Sequence, residues 1–143
     1  VHKETTKRRL EHGKKDICQQ LNVTPDTQVL YIERTGYSSD TPIFVEHSWW
    51  IADLVPGLEN EQVHIPDLLY ALIVDKYNLP IVRAEETLTA RACDKPTARL
   101  LKIIPDAPVV VLKRTTYTTG SRIVEVRTTQ GRADMFSYKR EIR

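Results

Sequence analysis

The residues able to do chemistry are few and scattered. His2, His12, His47 and His64 share no spacing that would bring two imidazoles to one metal ion. Cys18 and Cys93 are the only cysteines, and neither has a neighbour at metal-ligand or redox-motif distance, so both read as structural thiols of a reducing compartment. No metal and no other cofactor is expected. The chain has no glycine-rich phosphate loop ahead of a helix, no dinucleotide fingerprint and no G-x-S-x-G elbow. Glu46, His47 and Ser48 are consecutive, but successive strand residues point to opposite faces, so the three cannot form a relay. Nothing here predicts an enzyme.

What remains is charge set inside apolar strands. Glu46 stands between Val45 and the Trp49-Trp50 pair, and Glu125 stands between Val124 and Val126. Each carboxylate faces either solvent or a polar pocket, because burying one without partners is too costly. Arg34, Arg83, Arg91, Arg114 and Arg127 offer planar donors suited to an anionic ligand group, and surface ion pairs account for such arginines equally well. Trp49 and Trp50 must face opposite sides of their strand, one into the core and one over a groove or interface.

The elements that position these residues follow from spacing. Residues 1–9 read as a charged edge strand. Ile17, Cys18 and Leu21 mark a short helix that ends by Asn22 and Pro25. Residues 28–37 and 43–51, separated by a turn over 38–42, form a hairpin. Residues 67–77 predict a buried helix capped by Asp67 and stopped by Asn78 and Pro80. A third strand covers 81–92, and Asp94 with Pro96 opens another short helix running to Ile103. Strands over 109–118 and 122–130 follow, with a last one over 134–140. The sum is an α+β domain with a mostly antiparallel sheet and its helices on one face. No internal repeat or domain boundary is apparent.

Length and composition agree. A chain of 143 residues, 41% hydrophobic and 28% charged, makes one domain that buries enough surface to fold without staples. The net charge of +2 is too small for a nucleic-acid binding module. Near the start Lys3, Lys7, Arg8, Arg9, Lys14 and Lys15 outnumber Glu4, Glu11 and Asp16, which reads as a solvated face rather than a phosphate-contacting arm. The apolar runs are far too short for a membrane span, so a soluble cytoplasmic protein with no membrane partner is expected. The start in charged residues without an initiator Met points to a fragment of a longer chain.

The order of the motifs adds a resemblance. Leu21-x-Val23 is followed by Ile32-x-Arg34, then Pro42-Ile43-x-x-Glu46, then Tyr77-Asn78-Leu79-Pro80. Arg83-Ala84 with Leu88-x-Ala90 comes next, then Leu100-Leu101-x-Ile103, the run APVVVLKRTTY over 107–117, Ile123-Val124-Glu125 and Arg132-Ala133-Asp134-x-Phe136. Along nearly all of 1–143 this resembles the UTRA domain, the effector-binding half of HutC-type transcription regulators in the GntR superfamily. The resemblance implies a chorismate-lyase-like fold, a mostly antiparallel sheet flanked by helices, and homodimerisation through the sheet. It implies a repressor-type regulator whose operator DNA is bound by a winged helix-turn-helix domain absent from this chain. The alternatives it carries are a chorismate-lyase-like enzyme and a domain that only dimerises.

The same resemblance implies ligand-binding roles for Arg34, Glu46, Tyr70 and Glu125. Members that bind amino-sugar phosphates have a second arginine where this chain has Gly36, a serine where it has Leu68 and a tyrosine where it has Gly131. With those donors missing, the expected effector is a small polar metabolite: an organic acid, amino-acid derivative or sugar at least as readily as a sugar phosphate.

Overall fold

The computed structural model describes residues 1–143. Six strands, β1 His2–His12, β2 Gln28–Ser38, β3 Thr41–Ile51, β4 Arg83–Ala92, β5 Pro108–Thr118 and β6 Arg122–Arg132, form one sheet. Its order is β1-β2-β3-β6-β5-β4, and every pairing is antiparallel. Three helices accompany it, α1 Lys15–Leu21, α2 Leu69–Tyr77 and α3 Lys95–Leu101.

The helices lie on both faces of the sheet rather than on one. Along β2 the side chains alternate, so Leu30 and Ile32 face one way and Val29 the other. Leu30 and Ile32 pack with Trp50 of β3 against Leu69 and Ile73 of α2. Val29 packs with Ile51 and Val126 against Ile17 and Leu21 of α1, and α3 sets Ala98 and Leu101 on Val45, Val109 and Val111. Pattern alone shows that each helix has one apolar stripe; the face that receives it depends on which strand parity the helix reaches. The tryptophans divide as expected. Trp50 is fully buried under α2, while Trp49 stays half-buried on the opposite face beside Tyr31 and His47.

The architecture is also built twice. β1-α1-β2-β3 and β4-α3-β5-β6 follow one another with the same element order, and the strand order is symmetric about the β3/β6 seam. The sequence carries the repeat too. Leu21-x-Val23-x-Pro25-Asp26 corresponds to Leu101-x-Ile103-x-Pro105-Asp106, and Arg34-Thr35-x-Tyr37 to Arg114-Thr115-x-Tyr117, all 80 residues apart. Both second strands bulge at the matching place, between Gly36 and Tyr37 and between Thr116 and Tyr117. The expectation of no internal repeat is therefore corrected.

Local chemistry sets the helix ends. Asp94 caps α3, its Oδ1 accepting from the Thr97 N–H at 2.9 Å, with Pro96 in the first turn. Asp67 does not cap α2: Leu68 occupies the cap position without a side-chain bond, and the Asp67 carboxylate instead accepts the Lys3 backbone N–H at 3.0 Å. The expected final strand over 134–140 is likewise not formed. A 3-10 turn spans Ala133–Met135 and no regular structure follows. The Phe136 ring lies against Gly131, where a Cβ would collide with it, and so turns the chain across the sheet instead of along it.

Replacing Asp94 by Ala should cost about 1 kcal/mol, or about 3 °C in melting temperature, through the lost cap. Thermal unfolding followed by circular dichroism checks this, and an unchanged midpoint would contradict the cap.

Candidate effector site

The site grows from one buried carboxylate. Glu125 on β6 is 0% exposed and lies on the α2 side of the sheet, directly opposite Trp50 and Thr116 in register. Its Oε1 accepts from the Tyr70 hydroxyl at 2.6 Å and the Thr116 hydroxyl at 2.9 Å. Its Oε2 accepts from the Ser48 hydroxyl and from Arg127 Nε and Nη2 at 3.0 and 2.9 Å. Burial alone would push this carboxyl up, but Arg127 and the three hydroxyls more than reverse that, so it is held below its ordinary value. Burial likewise opposes the Arg127 charge, and Glu125 with Glu46 overcomes it, raising the guanidinium above its usual range.

Around this pair the remaining charges arrange themselves. Glu46 on β3 receives Lys3 Nζ at 2.9 Å and lies 3.6 Å from Arg127 Nη1. Tyr70, the second residue of α2, is bonded to Glu125 and accepts from Arg114 Nη1 at 3.2 Å. Burial and then the nearby Glu125 raise its phenol, which stays a neutral donor. Arg114 is bound in turn by Glu86 of β4.

Arg34 behaves differently. It is 2% exposed and stands opposite Glu46 in register, yet no carboxylate pairs with it. Its Nη2 donates to the Pro66 and Asp67 carbonyls at 2.8 and 3.2 Å, while its buried Nε and Nη1 have no partner. Burial lowers its pKa, with Arg127 adding to the effect and Glu46 opposing it.

A hollow of about 120 Å³ opens between the start of α2 and the sheet. Its polar wall is Lys3, Asp67, Tyr70, Arg114 and Arg127, with Leu68 and Leu69 completing it. Of the four residues expected to bind ligand, only Tyr70 lines this space. Arg34, Glu46 and Glu125 are all buried on the same sheet face, but they stand behind the wall and hold its members. Nothing in the sequence gives Lys3 or Asp67 a site role, Asp67 reading as a helix cap, and Arg114 and Arg127 are only two strand arginines among five. Lys3 reads from sequence as part of a solvated face, as does Arg8, whose Nη1 instead donates to the Leu58, Asn60 and Val63 carbonyls. Strand parity was the available signal: Arg114, Arg127 and Ser48 form one cross-strand row, adjoining the row of Thr116, Glu125 and Trp50.

The glycines at two of the departures from the phosphate-binding pattern have a physical reason. The Phe44 ring lies against Gly36 and the Phe136 ring against Gly131, so a larger side chain at either place would displace an aromatic ring. Larger surface hollows, about 460 Å³ beside Lys102 and Arg132 and about 380 Å³ beside Asn22 and Arg122, have no buried charge in their walls.

Comparison with known proteins identifies the family and the fold. Residues 1–137 match the UTRA domain family. The chain belongs to that family. The repressor NagR of Bacillus subtilis is 32% identical over 108 residues, covering 75% of this chain and 43% of that protein. The mannosyl-D-glycerate transport/metabolism system repressor of Escherichia coli is 25% identical over 112 residues, covering 75% and 44%. This UTRA domain thus spans less than half the length of those regulators. Among solved structures, the ligand-binding domain of a GntR-family regulator from Bordetella bronchiseptica superposes with a TM-score of 0.90 at 25% identity, covering 99% of this chain and 91% of that one. The effector domain of PhnF from Mycobacterium smegmatis gives 0.89 at 20% identity, covering 99% and 86%. The fold is the chorismate-lyase-like one expected, and the domain is regulatory rather than catalytic. No helix is long and apolar enough to cross a membrane.

Glu125→Gln removes the counter-charge of a buried arginine and should destabilise the domain by about 3 kcal/mol in urea unfolding. Because the native carboxyl is depressed, its contribution is present at neutral pH and is lost as pH falls through the native-state value. The variant's stability should therefore fall less steeply on acidification, and equal acid slopes would contradict the assignment.

Proposed function

We propose that this UTRA domain is the sensor of a HutC-type repressor, taking a small polar metabolite with one anionic group into the hollow at the start of α2. The observation that carries the reading is Arg34, a buried guanidinium with two nitrogens, Nε and Nη1, unpartnered and no carboxylate in contact. A buried donor left unmet is costly, and a ligand anion that displaces the Asp67–Leu68 wall in front of Arg34 would satisfy it with charge-assisted bonds. Lys3, Arg114 and Arg127 supply cationic wall that compensates in part for the missing second arginine, so an anionic effector is favoured over a neutral sugar. Glu46 would accept from a hydroxyl or amine group reached through a small shift of Lys3, Glu125 would act through the Arg127 and Tyr70 that it holds, and Tyr70 would give a ring wall with one polar tip. The space corresponds to about four water molecules, which favours a compact effector.

The regulator would act in the cytoplasm as a homodimer, its operator bound by the N-terminal domain. Binding would shift the population between arrangements of the dimer, to the extent that the metabolite's affinity differs between them. The dimer contact we favour is the half of the α2-side face that no helix covers, where only the C-terminal residues 136–138 border the sheet. There Leu88, 54% exposed, adjoins the half-buried Val110 and Leu112, the counterparts of Leu30 and Ile32 that α2 covers in the first half. An apolar strip of this kind suits an isologous contact.

Titration calorimetry against a panel of organic acids, amino-acid derivatives and sugar phosphates should find a binder whose affinity falls at least about tenfold in Arg34→Ala, the loss of one to two charge-assisted bonds. Unchanged affinity in both Arg34→Ala and Glu46→Ala would remove these roles. Leu112→Glu should convert dimer to monomer in light scattering without loss of fold, and a persistent dimer would reject the proposed contact.

A further inference from the structure

The internal repeat makes Arg34 and Arg114 equivalent; Arg114 on β5 lines the hollow, while Arg34 on β2 stands behind its wall. They hold different parts of the molecule. Arg34 grips the carbonyls that lead into α2, whereas Arg114 grips Glu86 on the edge strand β4. Both Arg114 Nε and Nη2 lie 2.8 Å from the same oxygen, Glu86 Oε2, and the other carboxylate oxygen has no protein partner.

The three cations that line the hollow differ in how readily they can change partners. Arg127 is bound to Glu125, fully buried, and releasing it would strand a charge in the interior. Lys3 is bound to Glu46, also buried. Arg114 alone is paired with a surface carboxylate, since the Glu86 side chain is 39% exposed and rehydrates on release. Its Nη1 already points inward to the Tyr70 hydroxyl, on the wall of the hollow.

We infer that Arg114 is a masked anion position: an anion in the hollow draws its guanidinium away from Glu86, and that exchange loosens the β4 edge. The inference rests on the ligand-sensing reading above and adds to it the route by which occupancy leaves the site. β4 is exposed at all ten positions and bonded only to β5, so its edge is held by that one ladder with modest help from side-chain ties such as Arg114–Glu86. Glu86 shares its face with Leu88 two residues on, so its release alters the charge and mobility of the apolar strip beside it.

Inorganic phosphate is the probe. It is titrated into the chain and into Glu86→Gln, Arg114→Lys and Arg34→Ala, with binding read from amide chemical shifts and hydrogen exchange read at the β4 amides. Glu86→Gln should tighten phosphate roughly two- to fivefold by removing the competing carboxylate, and Arg114→Lys should weaken it. Phosphate should speed exchange across β4 in the unaltered chain, while in Glu86→Gln exchange is fast already and does not respond. A merely structural ion pair would change the melting temperature of Glu86→Gln and leave phosphate affinity alone. Phosphate binding that is lost in Arg34→Ala but unchanged in Glu86→Gln, or β4 exchange indifferent to phosphate, overturns this inference and leaves the sensing reading standing. No binding of phosphate to the unaltered chain overturns the anion reading and this inference together.

Discussion

A carboxylate with no exposure to water, Glu125, organises the α2 side of this domain. Left bare it would be prohibitive, and it persists because both oxygens are filled, by three hydroxyls and a guanidinium drawn from β3, α2, β5 and β6 itself. Buried pairs of this kind contribute little net stability compared with an apolar core of the same volume; what they contribute is position. The Tyr70 bond fixes the first turn of a helix that lacks a side-chain cap, and the Arg127 bond fixes a cation that in turn orients Glu46 and Lys3. The hollow is the space left when these constraints are met together.

The repeated architecture explains why that hollow is where it is. Two copies of a β-α-β-β unit meet at the β3/β6 seam, and each offers an apolar strip on the same face. In the first copy the long connection after β3 supplies α2 and covers the strip. The second copy has no such helix, so Leu88, Val110 and Leu112 are bordered only by residues 136–138 and stay partly exposed. Arg34 and Arg114 started from equivalent places and now meet different surroundings, one sealed under the connection and one reaching toward an edge. The asymmetry of the site thus comes from what covers each half, and not from the sheet.

Most of the frame was legible from local patterns. Alternation located the first six expected strands to within a few residues, and Asp94 with Pro96 marked α3 correctly, because those signals are contained in short windows. The repeat was written in the sequence as Leu-x-[Val/Ile]-x-Pro-Asp and Arg-Thr-x-Tyr, but its spacing is far longer than any secondary-structure period. The helix faces and the wall of the hollow were not legible for a different reason. A strand arginine looks the same whether its row ends in solvent or under a helix; only the register that lines Arg114 up with Arg127 and Ser48 decides it. Asp67 carried a good capping signal, and a longer-range donor, the Lys3 amide, took its carboxylate instead.

A site that satisfies its own charges before any ligand arrives has a particular thermodynamic character. Every cation lining the hollow already has a carboxylate, so an incoming anion exchanges one ion pair for another. Such exchanges are close to balanced, which keeps affinity modest but makes the difference between two arrangements small enough for a compact metabolite to tip. Arg34 breaks the balance, since it has donors to give and loses no partner in giving them. One unmet guanidinium supplies the net attraction, and the exchangeable pairs around it supply the structural consequence. A site with all its cations free would bind anions more tightly and report them less, because no contact elsewhere would have to change.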